Sequence, residues 1–315
     1  MSEKNLYTQM RNEFYNKFRQ EIVPKVSEYE KERKQLLKEA IIKSIIFFAI
    51  SIFFFSFPNF AFLIIGFYFF VMSMLSCSFY KKDFEIRIKK RIMPIIVSCF
   101  ENLSWKEGGY PKGYIYEFVQ VVPQHDTWYS DDVFEGEHNG VKFEISETSF
   151  LKEMVPQHTD RYGRIVEAKY TKVFEGIVVK FDMNKNFTGH TLIKPDKMFH
   201  NSPQEYMQRT VLESVEFEKK YDVFTTDEIE ARYIITPAFM DRLKNIKFAF
   251  NVKDISCGFY NNNLFLAMPT KKDIFSISSL YKPLNDEKQY FQMFEEVLSI
   301  IKLIDHFKLN EKTGV

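Results

Sequence analysis

Three charged residues close together in the sequence, Glu228, Glu230 and Arg232, form the set best suited to chemistry. The segment reads as a strand, and residues two apart in a strand point to the same face, so all three are predicted to share one face. Two such carboxylates can act as general acid and general base, and the guanidinium can orient an anionic substrate. The alternative is a cross-strand ion pair that fixes this strand beside a helix predicted at 236–246.

Other familiar catalytic and cofactor motifs are absent from the sequence. It contains no phosphate-binding loop, no dinucleotide fingerprint, no nucleophile elbow and no HExxH pair. Cys77, Cys99 and Cys257 are too scattered for a zinc site. The charge is nearly balanced, with 43 basic and 42 acidic residues, so the chain has no overall positive charge that would attract nucleic acid. The sequence therefore predicts no cofactor, no metal and no nucleic-acid partner.

Two weaker patterns contain residues that are common metal ligands. His125, His138 and His158 can form a metal site only if the fold brings them together, and isolated surface histidines are commoner. Segment 182–186 has side-chain oxygens at alternate positions but lacks the glycine and the distal glutamate of a calcium loop. We interpret the histidines as separate and the segment as a turn.

A long apolar segment is the first of the elements that must position these residues. Residues 45–80 contain no charged side chain, which is typical of chain embedded in hydrocarbon. A Pro-Asn pair at 58–59 divides it into limbs at 40–57 and 60–79, about 27 and 30 Å long as helices. The sequence therefore predicts a two-helix transmembrane hairpin at 40–80. A hairpin that enters one leaflet without crossing and a buried hairpin of a soluble protein are the alternatives.

Basic residues flank this hairpin on both sides. Ten lysines and arginines lie within 1–43, six follow at 81–91, and the Pro-Asn connection has none. The positive-inside rule therefore places both flanks and both termini in the cytoplasm. A basic juxtamembrane helix is predicted at 81–104, and its six cations are either topogenic only or candidates for contact with anionic lipid. They are Lys81, Lys82, Arg87, Lys89, Lys90 and Arg91.

Residues 1–39 have the periodicity of an amphipathic helix. Apolar residues recur every three or four positions from Leu6 to Tyr29 on a charged background. Pro24 predicts a kink or a division. The helix either contacts anionic lipid or packs on the protein's own domain or on a second copy.

Residues 105–315 change to short alternating segments separated by turns. Segment 141–147 alternates apolar and polar residues, and the Asn-Gly pair before it predicts a hairpin with 131–135. A second hairpin is predicted at 255–268 and a long amphipathic helix at 286–309. This region is therefore predicted to be a cytoplasmic α+β domain, mainly antiparallel, with a C-terminal helix.

A short phrase recurs in this region. Val-Phe-Glu-Gly at 133–136 returns at 173–176, followed by Val-Lys-Phe-Glu at 141–144 and Val-Lys-Phe-Asp at 179–182. We interpret the recurrence as a small internal duplication or as two equivalent strands of one sheet.

Four stretches carry a resemblance to a known family. They lie at 141–147, 173–189, 228–243 and 262–268, and the third reads Glu-Ile-Glu-Ala-Arg-Tyr-Ile-Ile-Thr-Pro-Ala-Phe-Met-Asp-Arg-Leu. From about residue 25 to 309 the chain resembles the bacterial membrane proteins grouped as domain-of-unknown-function 3137 (DUF3137). The resemblance implies a bacterial inner-membrane protein and implies no activity and no catalytic residue.

These observations favour a membrane-anchored cytoplasmic domain that binds a protein partner, a lipid headgroup or a second copy, without enzymatic activity. Anchoring raises the local concentration of a weak binder, so modest affinity suffices. The alternatives are a membrane-proximal hydrolase that uses Glu228, Glu230 and Arg232, and an anionic-lipid-binding module.

Overall fold

The chain is described by a computed structural model that covers residues 3–108, 113–159, 161, 164–183, 186–195, 205–249, 252, 254–277 and 279–310. Within these residues the fold is α+β, as predicted, with N-terminal helices, a mainly antiparallel sheet and a C-terminal helix. The chain forms two compact units. The first comprises Met1–Phe100 and Ser276–Glu295, and the second comprises Glu101–Phe275 and Glu296–Val315.

The first unit is built from long helices. Helix α1 (Glu3–Lys17) continues through one π-helical turn (Phe18–Ile22) into α2 (Val23–Phe55), and α3 (Phe60–Val97) follows a tight turn. The π turn ends just before Pro24, whose missing N–H prevents the regular helical hydrogen bond at that point. The predicted division therefore takes the form of a π turn between two helices.

The apolar stripe of α1 is buried against the C-terminal helix α8 (Glu287–His306) within this unit. Phe14 stacks on Phe294 with ring centroids 4.5 Å apart, and Phe18 lies 5.5 Å from Tyr290. Of the interpretations that the sequence leaves open, packing on the protein's own chain is the one observed.

Helices α2 and α3 form a helical hairpin. The hydroxyl of Ser44 donates to the carbonyl oxygen of Ser73 at 3.0 Å, and the hydroxyl of Ser73 donates back to the carbonyl of Ser44 at 2.9 Å. Asn59 caps α3 by accepting a backbone N–H bond of 2.9 Å. A Cβ atom on Gly66 would lie 2.9 Å from the ring of Phe55, so the absence of a side chain allows the two helices to approach closely here.

One of the described helices, Phe60–Val97, is long and apolar enough to cross a membrane. The apolar limb of α2 is shorter than predicted because the helix ends at Phe55 rather than at residue 57. From residue 40 to Phe55 it spans about 24 Å, against about 30 Å for the hydrocarbon core.

The second unit is built on an antiparallel sheet with nine strands among the described residues, in the order β1-β2-β3-β6-β11-β10-β7-β9-β8. A two-stranded ribbon, β4-β5, lies apart from it. The strands are β1 (Leu103–Glu107), β2 (Thr127–His138), β3 (Val141–Val155), β4 (His158–Thr159), β5 (Ile165–Val166), β6 (Lys169–Asp182), β7 (Thr191–Pro195), β8 (Gln208–Thr210), β9 (Tyr221–Thr225), β10 (Ser256–Tyr260) and β11 (Asn263–Pro269). The helices of this unit, besides the end of α8, are α4 (Gly113–Phe118), α5 (Val215–Glu218), α6 (Glu228–Ile234) and α7 (Pro237–Ala249).

Both predicted hairpins are confirmed. Asn139 and Gly140 connect β2 to β3 with φ angles of 50° and 78°. Asn261 and Asn262 connect β10 to β11 with φ angles of 52° and 61°. Two-residue hairpin turns of type I′ require positive φ at both positions, which glycine and asparagine adopt more readily than other residues.

The recurring phrase is not a structural duplication. Segments 133–136 and 141–144 lie on the two strands of a hairpin, whereas 173–182 lies within the single strand β6. The later parts of the phrase do occupy neighbouring strands, since Phe143 on β3 pairs with Phe181 on β6.

Helix α7 and the end of α8 cover one face of the sheet. Helix α7 begins as predicted, with proline first and with Thr236 Oγ1 accepting from the backbone N–H of Phe239 at 3.2 Å. The ring of Phe239 lies 5.4 Å from that of Phe259 on β10 and 5.0 Å from that of Phe307. These contacts close the core on this side.

Helix α4 and the residues after it cover part of the opposite face. Tyr116 meets Phe265 on β11 edge-on, with ring centroids 5.6 Å apart. A Cβ atom on Gly258 would lie 2.3 Å from Val119, so glycine allows the segment after α4 to approach the sheet closely.

Candidate functional site

The predicted catalytic trio lies on a helix and not on a strand. Asp227 caps α6 by accepting two backbone N–H bonds of its first turn, at 2.9 and 3.0 Å. Residues four apart are neighbours on a helix, so Arg232 forms an ion pair of 2.7 Å with Glu228, while Glu230 lies on another side. The strand prediction was wrong because it gave weight to alternation and none to the aspartate N-cap.

All three of these side chains make contacts that support the fold. The carboxylate of Glu230 accepts from the backbone N–H groups of Thr188 and of the next residue, at 2.9 and 2.6 Å. Arg232 also donates to the carbonyl oxygen of Val211 at 2.9 Å. The guanidinium of Arg232 lowers the pKa of Glu228 below its ordinary value. The structure thus joins Glu228 to Arg232 but does not bring Glu230 to them.

The six basic lipid-contact candidates all lie on α3. Arg87 and Arg91 form ion pairs with Glu32 on α2, at 3.2 and 3.1 Å, and Arg91 also lies over the ring of Tyr29, 5.1 Å from its centre. Lys89 is buried. The exposed candidates are Lys81, Lys82, Lys90 and Arg91.

The metal-ligand patterns are not assembled in the part of the chain that the structure describes. His125 precedes β2, whereas His138 ends that strand and lies 3.3 Å from Asp305. The side chain of His158 and residue Asn184 of the calcium-like segment lie outside the described residues. Among the described residues, no three His, Cys, Asp or Glu side chains are grouped so that they could hold a metal.

The two described cysteines are not activated nucleophiles. Burial raises the pKa of Cys99 to about 12 and that of Cys257 well above its ordinary value. Nucleophilic cysteines have a lowered pKa, so both groups remain thiols at neutral pH.

A cavity of about 240 Å³ lies beside α4 on the partly covered face of the sheet. Its floor is a row across three adjacent strands, in which Glu144 on β3 pairs with Lys180 on β6, and Lys180 pairs with Phe265 on β11. A second hollow of about 260 Å³ shares Glu144 and Lys180 and extends to Glu135 on β2. The two hollows together form a groove across four strands.

Two polar side chains in this cavity make no hydrogen bond or ion pair with any described residue. Tyr116 is 1% exposed, and its hydroxyl is buried without a hydrogen-bond partner in that part of the chain. Burial, and to a lesser extent the charge of Glu144, raises the pKa of this phenol well above its ordinary value, so it stays protonated. Lys180 forms no ion pair with any described residue, although Glu144 lies directly opposite on the neighbouring strand.

The rim of the cavity is formed by the turn between β10 and β11. Asn261 and Asn263 line it, and Asn263 donates from its side-chain amide to the carbonyl oxygen of Asn261 at 2.5 Å. The ring of Tyr260 also lines it and lies 5.4 Å from the ring of His190. Burial lowers the pKa of His190, so this imidazole is neutral at pH 7 and adds no charge near the rim.

Sequence reasoning missed this cavity because its lining comes from separate segments. The available signal was the pair of related phrases, in which Lys142 and Glu144, and likewise Lys180 and Asp182, alternate with apolar residues. Such alternation predicts a polar sheet face but not what covers it. Nothing in the sequence around Tyr116 marks its hydroxyl as buried.

Comparison with known proteins gives a family match for the C-terminal part of the chain. Residues 172–309 match the family model described as protein of unknown function (DUF3137). The family resemblance is confirmed for this region. The DUF3137 match extends from within β6 to the end of α8 and so includes Lys180 and the rim of the cavity, whereas Tyr116 and Glu144 precede it.

The other comparisons give no functional information. No curated protein matches the chain. The crystal structure of the mycobacterial trehalose monomycolate transport factor A, TtfA, aligns with a TM-score of 0.34 and 10% sequence identity, over 65% of this chain and 88% of that chain. A TM-score this low supports no conclusion about fold or function.

Proposed function

We propose that this protein is a binding protein of the bacterial inner membrane, in which a two-pass hairpin holds a non-enzymatic α+β domain in the cytoplasm. The observation that carries the proposal is the apolar outer surface of the hairpin. Large apolar side chains point outward along both helices, and those of Phe60 and Met74 are 77% and 70% exposed. Soluble proteins rarely expose a continuous apolar surface of this extent to water, whereas lipid tails cover it without cost.

The pairing of the helices supports two passes. Because reciprocal bonds join Ser44 to Ser73, the apolar limb of α2 runs beside α3. If α3 crosses the bilayer, α2 lies at the same depth. The shorter limb is compatible with crossing because local thinning of the bilayer, or a lysine such as Lys43 that reaches the headgroups, compensates for a mismatch of a few ångströms. The basic flanks then favour both termini on the cytoplasmic side.

Binding is favoured over catalysis by the contacts of the charged trio. The carboxylate of Glu230 accepts hydrogen bonds from two backbone N–H groups, and Glu228 and Arg232 form an ion pair with each other. A membrane-proximal hydrolase built on these residues therefore has less support. The anionic-lipid alternative rests on Lys81 and Lys82, since the two arginines of α3 are paired with Glu32. A protein partner or self-association fits the same anchored arrangement.

Cysteine labelling in spheroplasts tests this topology. Phe57→Cys places a thiol in the turn between the helices, and Glu101→Cys places one at an exposed position after α3. We expect a membrane-impermeant maleimide to label the first variant from outside and the second only after permeabilisation, with the unsubstituted protein as background. Protection of both thiols would favour a hairpin that enters one leaflet, labelling of Glu101→Cys alone from outside would reverse the topology, and labelling of both from outside would contradict a crossing by α3.

A further inference from the structure

We propose that a two-stranded arm of the second unit contacts the headgroup region of an anionic lipid bilayer. The arm consists of the described residues between 152 and 172, from the end of β3 through β4 and β5 to the start of β6. The proposal deepens the binding function proposed above and rests on it, because the anchor keeps this unit tethered to a bilayer. The arm is a different surface from the lysines of α3.

The arm extends beyond the strands that flank β3 and β6 in the sheet. Strand β2 pairs with β3 only as far as Leu151, and β11 pairs with β6 only as far as Gly176. Past these points β3 and β6 pair only with each other, ending at Val155 and Lys169, and β4 pairs only with β5. Among the described residues, the arm is therefore a two-stranded ribbon with no third strand beside it.

Both faces of this ribbon are open. None of the described side chains between 152 and 172 is buried. Several of them are nonetheless large and apolar, since Ile165 is 70% exposed, Met154 is 64% exposed and Tyr170 is 48% exposed. A two-stranded ribbon that packs on nothing is marginally stable at best in water, and clustered exposed apolar side chains mark interaction sites. The arm therefore has the properties of a surface that a partner covers.

Charge indicates which kind of partner fits the arm. Residues 151–172 contain five basic and three acidic side chains, whereas residues 101–315 contain 27 basic and 33 acidic ones. The arm is thus a positive segment in an otherwise acidic region. Its exposed cations include Lys152, Arg164 and Lys169. Such a surface attracts an anionic partner and repels a basic one.

The mixture of cations and apolar side chains favours lipid over an acidic protein. Lys169 precedes Tyr170, and Lys152 lies two residues from Met154. At a membrane surface the lysines meet phosphates while the apolar groups enter the boundary with the acyl chains, and both contributions add to binding. Lipid also fits around a narrow ribbon that is open on both faces, whereas a folded partner needs a groove that encloses it.

Fluorescence of a label on the arm tests this contact in the full-length protein. Ile165→Cys is labelled with NBD in a Cys77→Ala background, in which the buried Cys99 and Cys257 remain protonated thiols. The protein is placed as single copies in nanodiscs of phosphatidylcholine, either alone or mixed equally with phosphatidylglycerol. We expect a blue-shifted emission, and quenching by lipids with a nitroxide headgroup, in the anionic discs and much less of both in the neutral discs.

A label outside the arm provides the positional control. Glu137→Cys lies at an exposed position of β2 opposite Lys142, and Lys142 is about 40 Å along β3 from Met154. An NBD group at residue 137 should report water in both kinds of disc. Equal quenching at 137 and 165 would show that the label itself partitions into lipid, and it would overturn the proposal.

Neutral substitutions on the arm test the role of charge. Lys152→Gln and Lys169→Gln should each lower the ratio of quenched to unquenched label at residue 165 by roughly fivefold, the effect of one basic group near an anionic surface. Lys142→Gln is the matched control, because it removes an exposed lysine from the far end of β3, and it should leave the ratio unchanged. All three positions are exposed, so the melting temperature should stay the same.

Three results overturn the proposal. A label at 165 that reports water in anionic discs shows that the arm does not contact lipid. Equal quenching in neutral and anionic discs, or no effect of either arm lysine, shows that anionic headgroups are not recognised. Shielding that occurs only in discs with two copies shows that the arm binds a second copy of the chain.

The outcomes also separate this contact from the proposed topology. A nanodisc leaves both leaflets accessible, so the arm can reach lipid whichever way the hairpin is oriented in the cell. Quenching at 165 with reversed cysteine labelling keeps the lipid contact and loses the topology. The expected cysteine labelling with a label at 165 in water keeps the topology and loses the contact.

Discussion

The carboxylate of Glu230 joins two parts of the second unit that are distant in sequence. It lies on α6 and accepts both backbone N–H groups at Thr188 and Gly189, just before β7. The fit is tight, since a Cβ atom on Gly189 would lie 2.3 Å from an oxygen of Glu230. At the scale of the single residue, then, a side chain that resembles a catalytic acid in the sequence has a structural position.

Glu230→Ala is expected to lower the free energy of unfolding by about 1–3 kcal/mol, because two backbone donors lose their acceptor. The matched control is Glu228→Ala, which removes one exposed ion pair and should leave the melting temperature almost unchanged. Thermal unfolding of the full chain in detergent measures both. An unchanged melting temperature in Glu230→Ala would contradict the structural role and revive the hydrolase alternative.

Glu147 is a second residue whose environment the sequence does not reveal. It lies on β3, and its carboxylate oxygens each face a backbone N–H, those of Ile274 and Phe275, at 3.4 Å. Burial, with the charges of Asp273 and Asp132, raises the pKa of Glu147 from 4.5 to about 8, against the opposing effect of the two N–H groups. The protonated acid is therefore the form that the fold favours.

This pKa predicts that stability falls as the pH rises. Between pH 4.5 and about 8 the folded protein retains the proton on Glu147 and the unfolded chain has lost it. Stability therefore decreases over that window, and the loss is complete above it. Glu147→Gln should flatten the dependence of the melting temperature on pH from 5 to 8, whereas Glu137→Gln, an exposed acid on β2, should not. Parallel pH profiles for Glu147→Gln and the unsubstituted protein would show that this carboxyl does not titrate in the fold.

At the scale of elements, the apolar face of the N-terminal helix α1 packs against the C-terminal helix α8. Phe14 is buried between Phe294 and Phe291 of α8, with ring centroids 4.5 and 5.0 Å away. Arg11 adds two bonds to the carboxylate of Glu295, at 2.5 and 2.7 Å. The apolar face is therefore occupied within the chain and is not available to lipid.

Phe14→Ala should loosen α1, because truncation of a buried phenylalanine costs about 3–5 kcal/mol. Limited proteolysis of membranes that contain the full-length protein should then cut at the N-terminal helix well before the remainder of the chain. Asn16→Ala, at an exposed position of the same helix, serves as the control. If both variants resist the protease equally, the contacts between α1 and α8 do not hold the helix in place.

At the scale of the whole molecule, the exposed apolar surface of the hairpin is better suited to lipid than to water. Phe67 on α3 is 62% exposed, and no charged residue lies between 45 and 80. In water an arginine at such a position would be tolerated, as most surface substitutions are. In a bilayer the same arginine would oppose insertion of the helix, because its charge would have to be buried in hydrocarbon.

Phe67→Arg should therefore reduce membrane insertion by about 2.5–3.5 kcal/mol, the insertion cost of a charge near the centre of a transmembrane helix. The fraction of protein that resists alkaline extraction from membranes measures this effect. Ile229→Arg, which changes an 83% exposed residue of α6, should leave extraction unchanged. Normal insertion of Phe67→Arg would indicate that α3 is not a membrane span.

The sequence by itself determined those features that depend on neighbours in the chain. An uncharged apolar run with Pro58 and Asn59 in its middle specifies a helical hairpin, because local hydrophobicity and a capping residue decide where helices begin and end. The Asn139-Gly140 turn and the Thr236 cap were predicted for the same reason. Asp227 was an equally local signal, and attention to it would have placed Glu228–Ile234 on a helix.

Only the tertiary structure decided which distant residues meet. Glu144, Lys180 and Phe265 form a row because β3, β6 and β11 pair in one particular register, and that register is set by packing across the whole sheet. The hydroxyl of Tyr116 is buried for the same kind of reason, since a short helix from another part of the chain lies over the row. Contacts of this kind depend on free energies summed over the folded core, and no short window of sequence contains them.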